Sequence, residues 1–344
     1  MDITEHESMT TSDAKPAERI RGRRRRSSRH RSRRSSAGAA LLAMLLGFFV
    51  AGLLDARAID RDVRGAPLSA QRTIQLALLK PMVALSGALR FDRPGVALDE
   101  VLRRGSEGRR SLDDVAAPEV PKWPRAITSG RPLKVLIIGD SMAQVFGSSL
   151  KNQAEKSELV TARLEYKVSS GLSRPDFYDW PQRMIAQLAS INQDATVVMF
   201  GANDGQNVAY QGKVLKVGSN AWRRLYQQRV AEAMKILTAN GRRVYWVGNP
   251  IMRDREYADA IAMMNGVYEE EAAHHLGVTY IDTWTLFADK QGRYVQYLRD
   301  DEGTPVLMRG ADGIHLTRAG GDRAALHALS YILRDWGIAE ADRQ

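Results

Sequence analysis

Three short polar groups each follow an apolar run of the sequence, and each holds a residue type that acyl-transfer chemistry uses. The first group is Gly139-Asp140-Ser141, where a serine opens a predicted helix. A helix N-terminus favours developing negative charge, so the Ser141 hydroxyl is a candidate nucleophile. The alternative interpretation is a simple helix cap, because Asp and Ser are common at that position.

The second group is Gly201-Ala202-Asn203-Asp204. The glycine lets the backbone approach a ligand closely, and the Asn203 amide could donate a hydrogen bond to an oxyanion. The alternative is an ordinary turn, since Gly, Asn and Asp are all turn residues. The sequence leaves both interpretations open for this group taken alone.

The third group places Asp312 three residues before His315. In a tight turn this spacing lets the carboxylate hold one imidazole nitrogen and leaves the other to face a nucleophile. Of the six histidines, only His315 has an acid at this spacing in a predicted turn. The other five are His6, His30, His274, His275 and His327.

The predicted elements bring these three groups together. From residue 133 onward, short apolar runs alternate with longer helical stretches, which predicts right-handed crossovers and a three-layer α/β/α sandwich with a mostly parallel five-stranded sheet. Sites in such sheets form at the carboxyl ends of the strands, where all three groups lie. The predicted strands are 134–138, 162–168, 196–200, 243–247 and 278–281, and the predicted helices are 142–153, 180–192, 220–239, 255–276 and 317–336.

Taken together, the three groups resemble the SGNH (GDSL) hydrolase superfamily over roughly residues 133–336. The first block of that family reads GDSM at 139–142, with methionine where leucine is usual, while G-x-N-D at 201–204 and D-x-x-H at 312–315 are intact. The second block is a lone glycine after the second strand, for which Gly171 is the candidate. The resemblance implies the flavodoxin-like sandwich of the SGNH fold.

The resemblance also implies a role for each residue. Ser141 attacks an ester carbonyl, His315 takes the serine proton and later delivers it to the leaving alcohol, and Asp312 orients the imidazole. The oxyanion hole is formed by the backbone N–H groups of Ser141 and Gly171 and by the Asn203 side chain. This chemistry needs no metal or organic cofactor, and the cysteine-free sequence suggests no ligand cluster.

Charge and hydropathy divide the chain into four predicted regions. Residues 1–36 are a basic tail that holds a net +6 of the total +10, and residues 37–54 are apolar and uncharged. The apolar segment predicts a transmembrane anchor or uncleaved signal, with a signal peptide cleaved after Ala58 as the alternative. Residues 55–130 form a predicted stem with a helix broken near Pro81, and residues 131–340 form the hydrolase domain. Positive charge before the segment predicts a cytoplasmic N-terminus, an inner-membrane span and a periplasmic or otherwise extracytoplasmic domain.

Four residues near the predicted site are candidates for substrate contact: Asp204, Tyr178, Trp180 and Tyr210. The last three lie in the aromatic loops 172–181 and 205–218, whose alternative role is packing against the sheet. The predicted function is removal of O-acyl groups, O-acetyl above all, from an extracytoplasmic glycan. A polysaccharide O-acyltransferase and a non-catalytic component of the envelope or of polysaccharide assembly are the alternatives. Nucleic acid is not an expected partner, because the body carries only +4.

Overall fold

A computed structural model describes residues 37–56, 59–60, 63, 70–89 and 125–338 of the chain. The chain divides into residues 1–49 and residues 50–344. The predicted basic tail at 1–36 and most of the predicted stem at 55–130 lie outside the described residues.

The two longer described ranges in the N-terminal part of the chain are helical. Helix α1 covers Ala37–Leu54 and coincides with the predicted apolar segment, and α2 covers Ala70–Ala88. Across the described ranges, no helix is found that has the length and apolarity to cross a membrane. The predicted break at Pro81 is wrong, because α2 continues through that residue. A proline removes its own N–H donor, but the neighbouring residues can keep helical backbone geometry.

A parallel five-stranded sheet forms the centre of the C-terminal part, as predicted. The strands of this sheet are β1 Leu133–Gly139, β2 Val160–Tyr166, β3 Ala195–Met199, β6 Arg243–Val247 and β7 Val278–Ile281. Their order across the sheet is β2-β1-β3-β6-β7. Strands β2 and β3 lie on opposite sides of β1, so the loops after β1 and β3 leave the sheet at a point where the connection direction reverses, and such a point creates a crevice.

Helices cover both faces of the sheet. These helices are α3 Ser141–Ala154, α4 Trp180–Ile191, α5 Asn220–Leu237, α6 Arg255–His274 and α7 Arg318–Asp335. Helices α3 and α7 pack against each other, while α4 packs against α5 and α5 against α6. Every residue of β3 is buried, as is every residue of β1 except Lys134, which is typical of strands covered on both faces.

The predicted element boundaries agree with the structure to within two residues. The largest strand difference is β2, which ends at Tyr166 instead of residue 168. The chain turns just after it, where Ser169 takes a left-handed φ of 60°. Two small antiparallel hairpins are absent from the prediction, because strands of three partly exposed residues carry no apolar pattern. They pair β4 Val208–Tyr210 with β5 Lys213–Leu215, and β8 Tyr297–Arg299 with β9 Pro305–Leu307.

Candidate active site

Ser141 is the first residue of α3 and lies two residues after the end of β1. The preceding residue, Asp140, caps the helix, since its Oδ1 accepts a hydrogen bond from the Met142 N–H at 2.8 Å. The N–H of the first helical residue has no acceptor within the helix, so the Ser141 N–H is available to a ligand. Ser141 is partly exposed, whereas Asp140 is fully buried. The sequence therefore places a reachable hydroxyl and a backbone donor at one point.

His315 bridges Ser141 and Asp312. The His315 Nε2 lies 2.9 Å from the Ser141 Oγ, and its Nδ1 lies 2.6 Å from an Asp312 carboxylate oxygen. Serine and histidine are 174 residues apart in the chain and meet only in the folded structure. With the Nδ1 proton directed to the carboxylate, Nε2 is left as the acceptor for the serine proton, which is the arrangement of a nucleophile, a general base and an orienting acid.

The Asp312 carboxylate also organises its own turn. Its Oδ1 accepts hydrogen bonds from the N–H groups of Ile314 and His315, at 2.9 and 3.1 Å. Partial burial alone would raise the pKa of Asp312. The hydrogen bonds from the His315 ring and from these two N–H groups have the larger combined effect and lower the pKa to about 2. Asp312 is consequently ionised at neutral pH and can stabilise a positively charged imidazole.

A glycine and a buried arginine build the turn that carries His315. Gly313 has a left-handed φ of 76°, which a residue with a side chain adopts only with strain. Arg309 is fully buried beneath the turn and donates hydrogen bonds to the carbonyls of Ile251 and Ile314. Burial lowers the pKa of Arg309 to about 10, which still leaves the guanidinium charged at neutral pH. These contacts hold the turn against the loop after β6.

Asp140 connects the nucleophile to the second polar group. Its Oδ2 accepts a hydrogen bond from the Gly201 N–H at 3.0 Å. Burial raises the pKa of Asp140 to about 7, and the negative charge of Asp204 adds to the increase, although hydrogen bonds from backbone N–H groups oppose it. The carboxylate lies between two loops and fixes them to each other.

The three predicted oxyanion donors come from neighbouring loops. The Asn203 Nδ2 donates to the Ser170 carbonyl at 3.1 Å, and this contact brings the amide beside the backbone of Gly171. A Cβ on Gly171 would lie 2.1 Å from the Asp204 Oδ1, so only glycine fits without rearrangement. The assignment of the Ser141 N–H, the Gly171 N–H and the Asn203 amide to an oxyanion hole remains a prediction.

Two of the predicted substrate contacts require correction. Asp204 is fully buried, and its carboxylate accepts hydrogen bonds from Leu172 N–H, Ser173 N–H and the Tyr226 hydroxyl. Burial raises the pKa of Asp204 above its usual value, although these hydrogen bonds oppose the increase. Its role is therefore to hold the loop that carries Gly171.

Trp180 is the second correction, because it is 1% exposed and packs edge-to-face against Phe200. Its Nε1 donates to the Ser170 Oγ at 2.9 Å, so the ring is used in the core. Tyr178 is half-buried and Tyr210 is exposed on β4, and both stay candidates for substrate contact.

Several residues that hold the site are missed by the sequence analysis. Tyr226 on α5 reaches Asp204, and Tyr257 on α6 donates to the Ala202 carbonyl. Arg309 is missed as well, and the second bond of Asp140 is not anticipated. An aspartate placed directly before a candidate serine is the one signal that the sequence offered. Among the described residues, no three His, Cys, Asp or Glu side chains are arranged to hold a metal ion.

Comparisons with known proteins find one family and a set of solved structures. The family model described as "Protein of unknown function (DUF459)" matches residues 134–331. No match was found among curated proteins.

Three of the similar solved structures are a peptidoglycan O-acetyltransferase, a lipase and an esterase. The C-terminal catalytic domain of peptidoglycan O-acetyltransferase A from Streptococcus pneumoniae is 15% identical, over 60% of this chain and 95% of that chain, with a TM-score of 0.40. A GDSL-like lipase from Bacteroides thetaiotaomicron is 12% identical, over 69% and 96%, with a TM-score of 0.41. A catalytic mutant of an acetylxylan esterase from Geobacillus stearothermophilus is 14% identical, over 60% and 95%, with a TM-score of 0.42.

Proposed function

The chain belongs to the DUF459 family, which is SGNH/GDSL-like, and we propose that it is a serine esterase whose catalytic triad is Ser141, His315 and Asp312. The observation that carries the proposal is the position of the His315 ring, with Nε2 at 2.9 Å from the Ser141 Oγ and Nδ1 at 2.6 Å from Asp312. A histidine that only stabilises the fold does not require a partly exposed serine hydroxyl at one ring nitrogen and an ionised carboxylate at the other.

The first half of the reaction forms an acyl-enzyme. The Ser141 Oγ attacks the ester carbonyl carbon while His315 Nε2 takes the hydroxyl proton. The resulting oxyanion accepts hydrogen bonds from the N–H groups of Ser141 and Gly171 and from the Asn203 amide. The tetrahedral intermediate then collapses, the ester C–O bond breaks, and the leaving alcohol takes the proton from His315.

The second half restores the enzyme. A water molecule gives a proton to His315 Nε2 and attacks the acyl carbon, which forms a second oxyanion in the same hole. The bond to the Ser141 Oγ breaks, the serine recovers the proton, and the carboxylic acid leaves. Asp312 stays ionised throughout and stabilises the imidazolium that forms in each half.

We further propose that the substrate is an O-acylated glycan, with acetyl as the acyl group. The site is partly exposed at Ser141 and lies at the carboxyl edge of an open sheet, so an ester group on a polymer can approach without entering a closed tunnel. Tyr178 lines a cavity together with Gly171, and Tyr210 is exposed on β4, in the segment that follows Asn203. An aromatic ring combines a large apolar face with, in tyrosine, a polar hydroxyl, which suits a sugar ring.

Hydrolysis of p-nitrophenyl acetate and p-nitrophenyl butyrate by the purified full-length protein tests the esterase proposal. We expect turnover that falls by about 10⁴ or more in Ser141→Ala, and by about 10²–10³ in Asn203→Ala. Ser148→Ala is the matched control, since Ser148 is an exposed serine on α3 whose hydroxyl bonds to the Gln144 carbonyl. Full turnover in folded Ser141→Ala would overturn the proposal.

Acyl transfer uses the same acyl-serine and is distinguished by the acceptor. If the enzyme is a hydrolase, a deacetylated glycan added to the assay will leave the rate of p-nitrophenol release unchanged. An acceleration, with acetate recovered on the glycan, would identify an O-acyltransferase. A folded protein that neither turns over esters nor reacts with a fluorophosphonate at Ser141 would point to the non-catalytic alternative.

The extracytoplasmic location and the membrane attachment at residues 37–54 are proposals that rest on the sequence alone. They are tested by adding protease to intact spheroplasts that contain the full-length protein. Digestion of the domain at 131–340 in intact spheroplasts is the expected result. Protection until the spheroplasts are lysed would contradict the proposed location.

A further inference from the structure

A groove runs along the exposed edge of the sheet, beside the site. It has a volume of about 370 Å³, and it lies where the edge strand β2 faces the start of α4. We name it the edge groove. Its lining residues are Arg163, Leu164, Glu165, Tyr166, Tyr178, Trp180 and Arg183.

The edge groove carries two guanidinium groups around one carboxylate. Glu165 forms ion pairs with Arg163, at 2.7 Å, and with Arg183, and it accepts a hydrogen bond from the Gln187 Nε2 at 2.8 Å. Partial burial raises the pKa of Glu165, but the bonds from Gln187 and Arg183 lower it below its usual value, so the carboxylate stays ionised. One negative charge against two positive charges leaves the groove positive.

Both arginines remain open to solvent while Glu165 holds them. Their side chains are 61% and 44% exposed, for Arg163 and Arg183 respectively, against 15% for Glu165. A guanidinium has five N–H donors, and the ion pairs to Glu165 use only part of them. The remaining donors can receive a second carboxylate, because the planar fork of arginine matches carboxylate geometry.

Three aromatic residues, Tyr166, Tyr178 and Trp180, also line the edge groove. Tyr166 is 42% exposed at the end of β2. Tyr178 packs edge-to-face on the buried Trp180 with ring centroids 4.9 Å apart, and this contact fixes the position of the Tyr178 ring in the lining. Beside the groove, the Lys167 Nζ lies 5.8 Å from the centre of the Phe177 ring and adds another positive charge.

The edge groove is connected to the candidate active site by the sheet. Tyr166 pairs with Gly139 in the parallel ladder, and the Lys167 N–H donates to the Gly139 carbonyl at 3.0 Å. Paired strands lie about 4.8 Å apart, and Ser141 is two residues beyond Gly139. A second cavity, of about 210 Å³, is lined by Gly171 and shares Tyr178 and Trp180 with the edge groove.

We propose that the edge groove binds an acidic glycan, with a sugar carboxylate at Arg163 and Arg183 and a sugar ring on Tyr166, and so positions an acyl ester of the same polymer at Ser141. This inference rests on the proposed esterase function and names its substrate class. The chemistry favours a sugar over a lipid, since Leu164 is the one aliphatic side chain in the lining and it is partly buried. The groove offers polar donors and aromatic faces.

Binding is tested separately from turnover with the Ser141→Ala protein. The probes are polygalacturonate as the acidic glycan, dextran as the neutral glycan, and vesicles of anionic phospholipid, all measured by calorimetry or co-sedimentation. We expect polygalacturonate alone to bind, and the affinity to fall at least about tenfold in Arg163→Gln/Arg183→Gln. Arg224→Gln is the matched control, because Arg224 is exposed on α5 away from the groove. Equal binding of dextran, unchanged affinity in the double variant, or binding to vesicles instead would overturn the inference.

Turnover supplies the second measurement. The ratio of kcat/KM for O-acetylated polygalacturonate to that for p-nitrophenyl acetate should fall about tenfold or more in the double variant, mainly through KM, and should hold in Arg224→Gln. Tyr166→Ala should lower the same ratio while Tyr166→Phe preserves it, because the ring face is what contacts the sugar. If the wild type hydrolyses p-nitrophenyl acetate but the double variant shows no change in this kcat/KM ratio, glycan binding in the edge groove is refuted and the esterase proposal stands. A protein that binds polygalacturonate yet hydrolyses no ester refutes the proposed function instead.

Discussion

The Asp140 carboxylate accepts a hydrogen bond from the Gly201 N–H at 3.0 Å, although 61 residues separate the two in the chain. The other oxygen of the same carboxylate accepts the Met142 N–H and caps α3. One buried side chain therefore fixes the turn that holds Ser141 against the loop that holds Asn203. Asp140 therefore helps to set the distance between the nucleophile and the Asn203 side chain.

Replacing Asp140 with alanine tests that dependence. Loss of a helix cap alone costs about 1 kcal/mol. In Asp140→Ala we expect a larger decrease in the free energy of unfolding, because the Gly201 N–H also loses its buried acceptor, at a cost of about 1–3 kcal/mol. We also expect kcat to fall at least about tenfold, since the loop carrying Asn203 loses its direct attachment to the turn that holds Ser141.

Ser219→Ala is the matched control for Asp140→Ala. Ser219 caps α5 by accepting the Trp222 N–H, and it therefore stabilises a different helix from the one that Ser141 begins. Denaturant unfolding and p-nitrophenyl acetate kinetics are measured on both variants. If Ser219→Ala lowers kcat as much as Asp140→Ala does, the effect on rate comes from general destabilisation and the positioning role is wrong.

The sequence carries enough information for the centre of the sheet, since β1, β3 and β6 are nearly continuous buried apolar runs that differ from the amphipathic helices between them. It also identifies His315, because an acid three residues away in a turn sets it apart from the other histidines. The burial of Asp204 and Trp180 could not be predicted from the sequence. The sequence makes Asp204 and Trp180 candidates for substrate contact, yet both side chains are buried. Asp204 accepts three hydrogen bonds, and Trp180 packs against Phe200. These partners come from distant segments, so no local pattern reveals them.

Gly171 should tolerate no side chain. In Gly171→Ala the new Cβ would lie 2.1 Å from the buried Asp204 Oδ1, so either the carboxylate or the loop must move. We expect the free energy of unfolding to decrease by about 1–3 kcal/mol. If the Gly171 N–H serves the oxyanion, displacement of the loop should also lower kcat by about 10²–10³.

Gly266→Ala separates the steric effect at Gly171 from the general effect of replacing a glycine. Gly266 lies inside α6, and a Cβ added there would meet nothing within 4 Å beyond the helix's own backbone. Its replacement should stabilise the protein by up to about 1 kcal/mol and leave kcat unchanged. A Gly171→Ala protein with normal kcat would remove Gly171 from the oxyanion hole.

Tyr226 should act on the site through Asp204. Its hydroxyl donates to Asp204 Oδ2 at 2.8 Å and contacts the Tyr268 hydroxyl at 2.6 Å. Burial and the adjacent Asp204 charge raise the pKa of Tyr226 well above its usual value, so the hydroxyl stays protonated and donates. In Tyr226→Phe we expect a loss of about 1–3 kcal/mol in stability and a lower kcat with little change in KM.

Tyr245→Phe is the control for that substitution. Tyr245 is also a buried tyrosine that donates to a carboxylate, Asp335 Oδ2 at 3.2 Å. Asp335 lies on α7, away from Asn203. Both variants should lose stability by similar amounts in thermal unfolding. Only Tyr226→Phe should lower kcat, and an equal effect of the two on kcat would refute a positioning role for Tyr226.

Asp312→Asn should lower kcat by about 10²–10⁴, because an amide cannot both accept the Nδ1 proton of His315 and stabilise the imidazolium. The same substitution should change how stability depends on pH. The pKa of Asp312 is about 2 in the folded protein, below the ordinary value of 3.8. A lowered pKa contributes stability that is present above pH 3.8 and is lost as the pH falls through about 2. The difference in free energy of unfolding between wild type and Asp312→Asn should therefore shrink as the pH falls from about 5 to about 2.

Asp289→Asn distinguishes the catalytic part of this effect from the electrostatic part. Asp289 likewise accepts two backbone N–H groups, from Gln291 and Arg293, and these bonds hold its pKa below the ordinary value, but its side-chain partner is the Arg293 guanidinium instead of a histidine. Its variant should lose acid-sensitive stability in the same direction and keep its kcat on p-nitrophenyl acetate. If Asp312→Asn also keeps its kcat and loses only acid-sensitive stability, as Asp289→Asn does, then Asp312 only stabilises its turn. It is then not part of a catalytic triad.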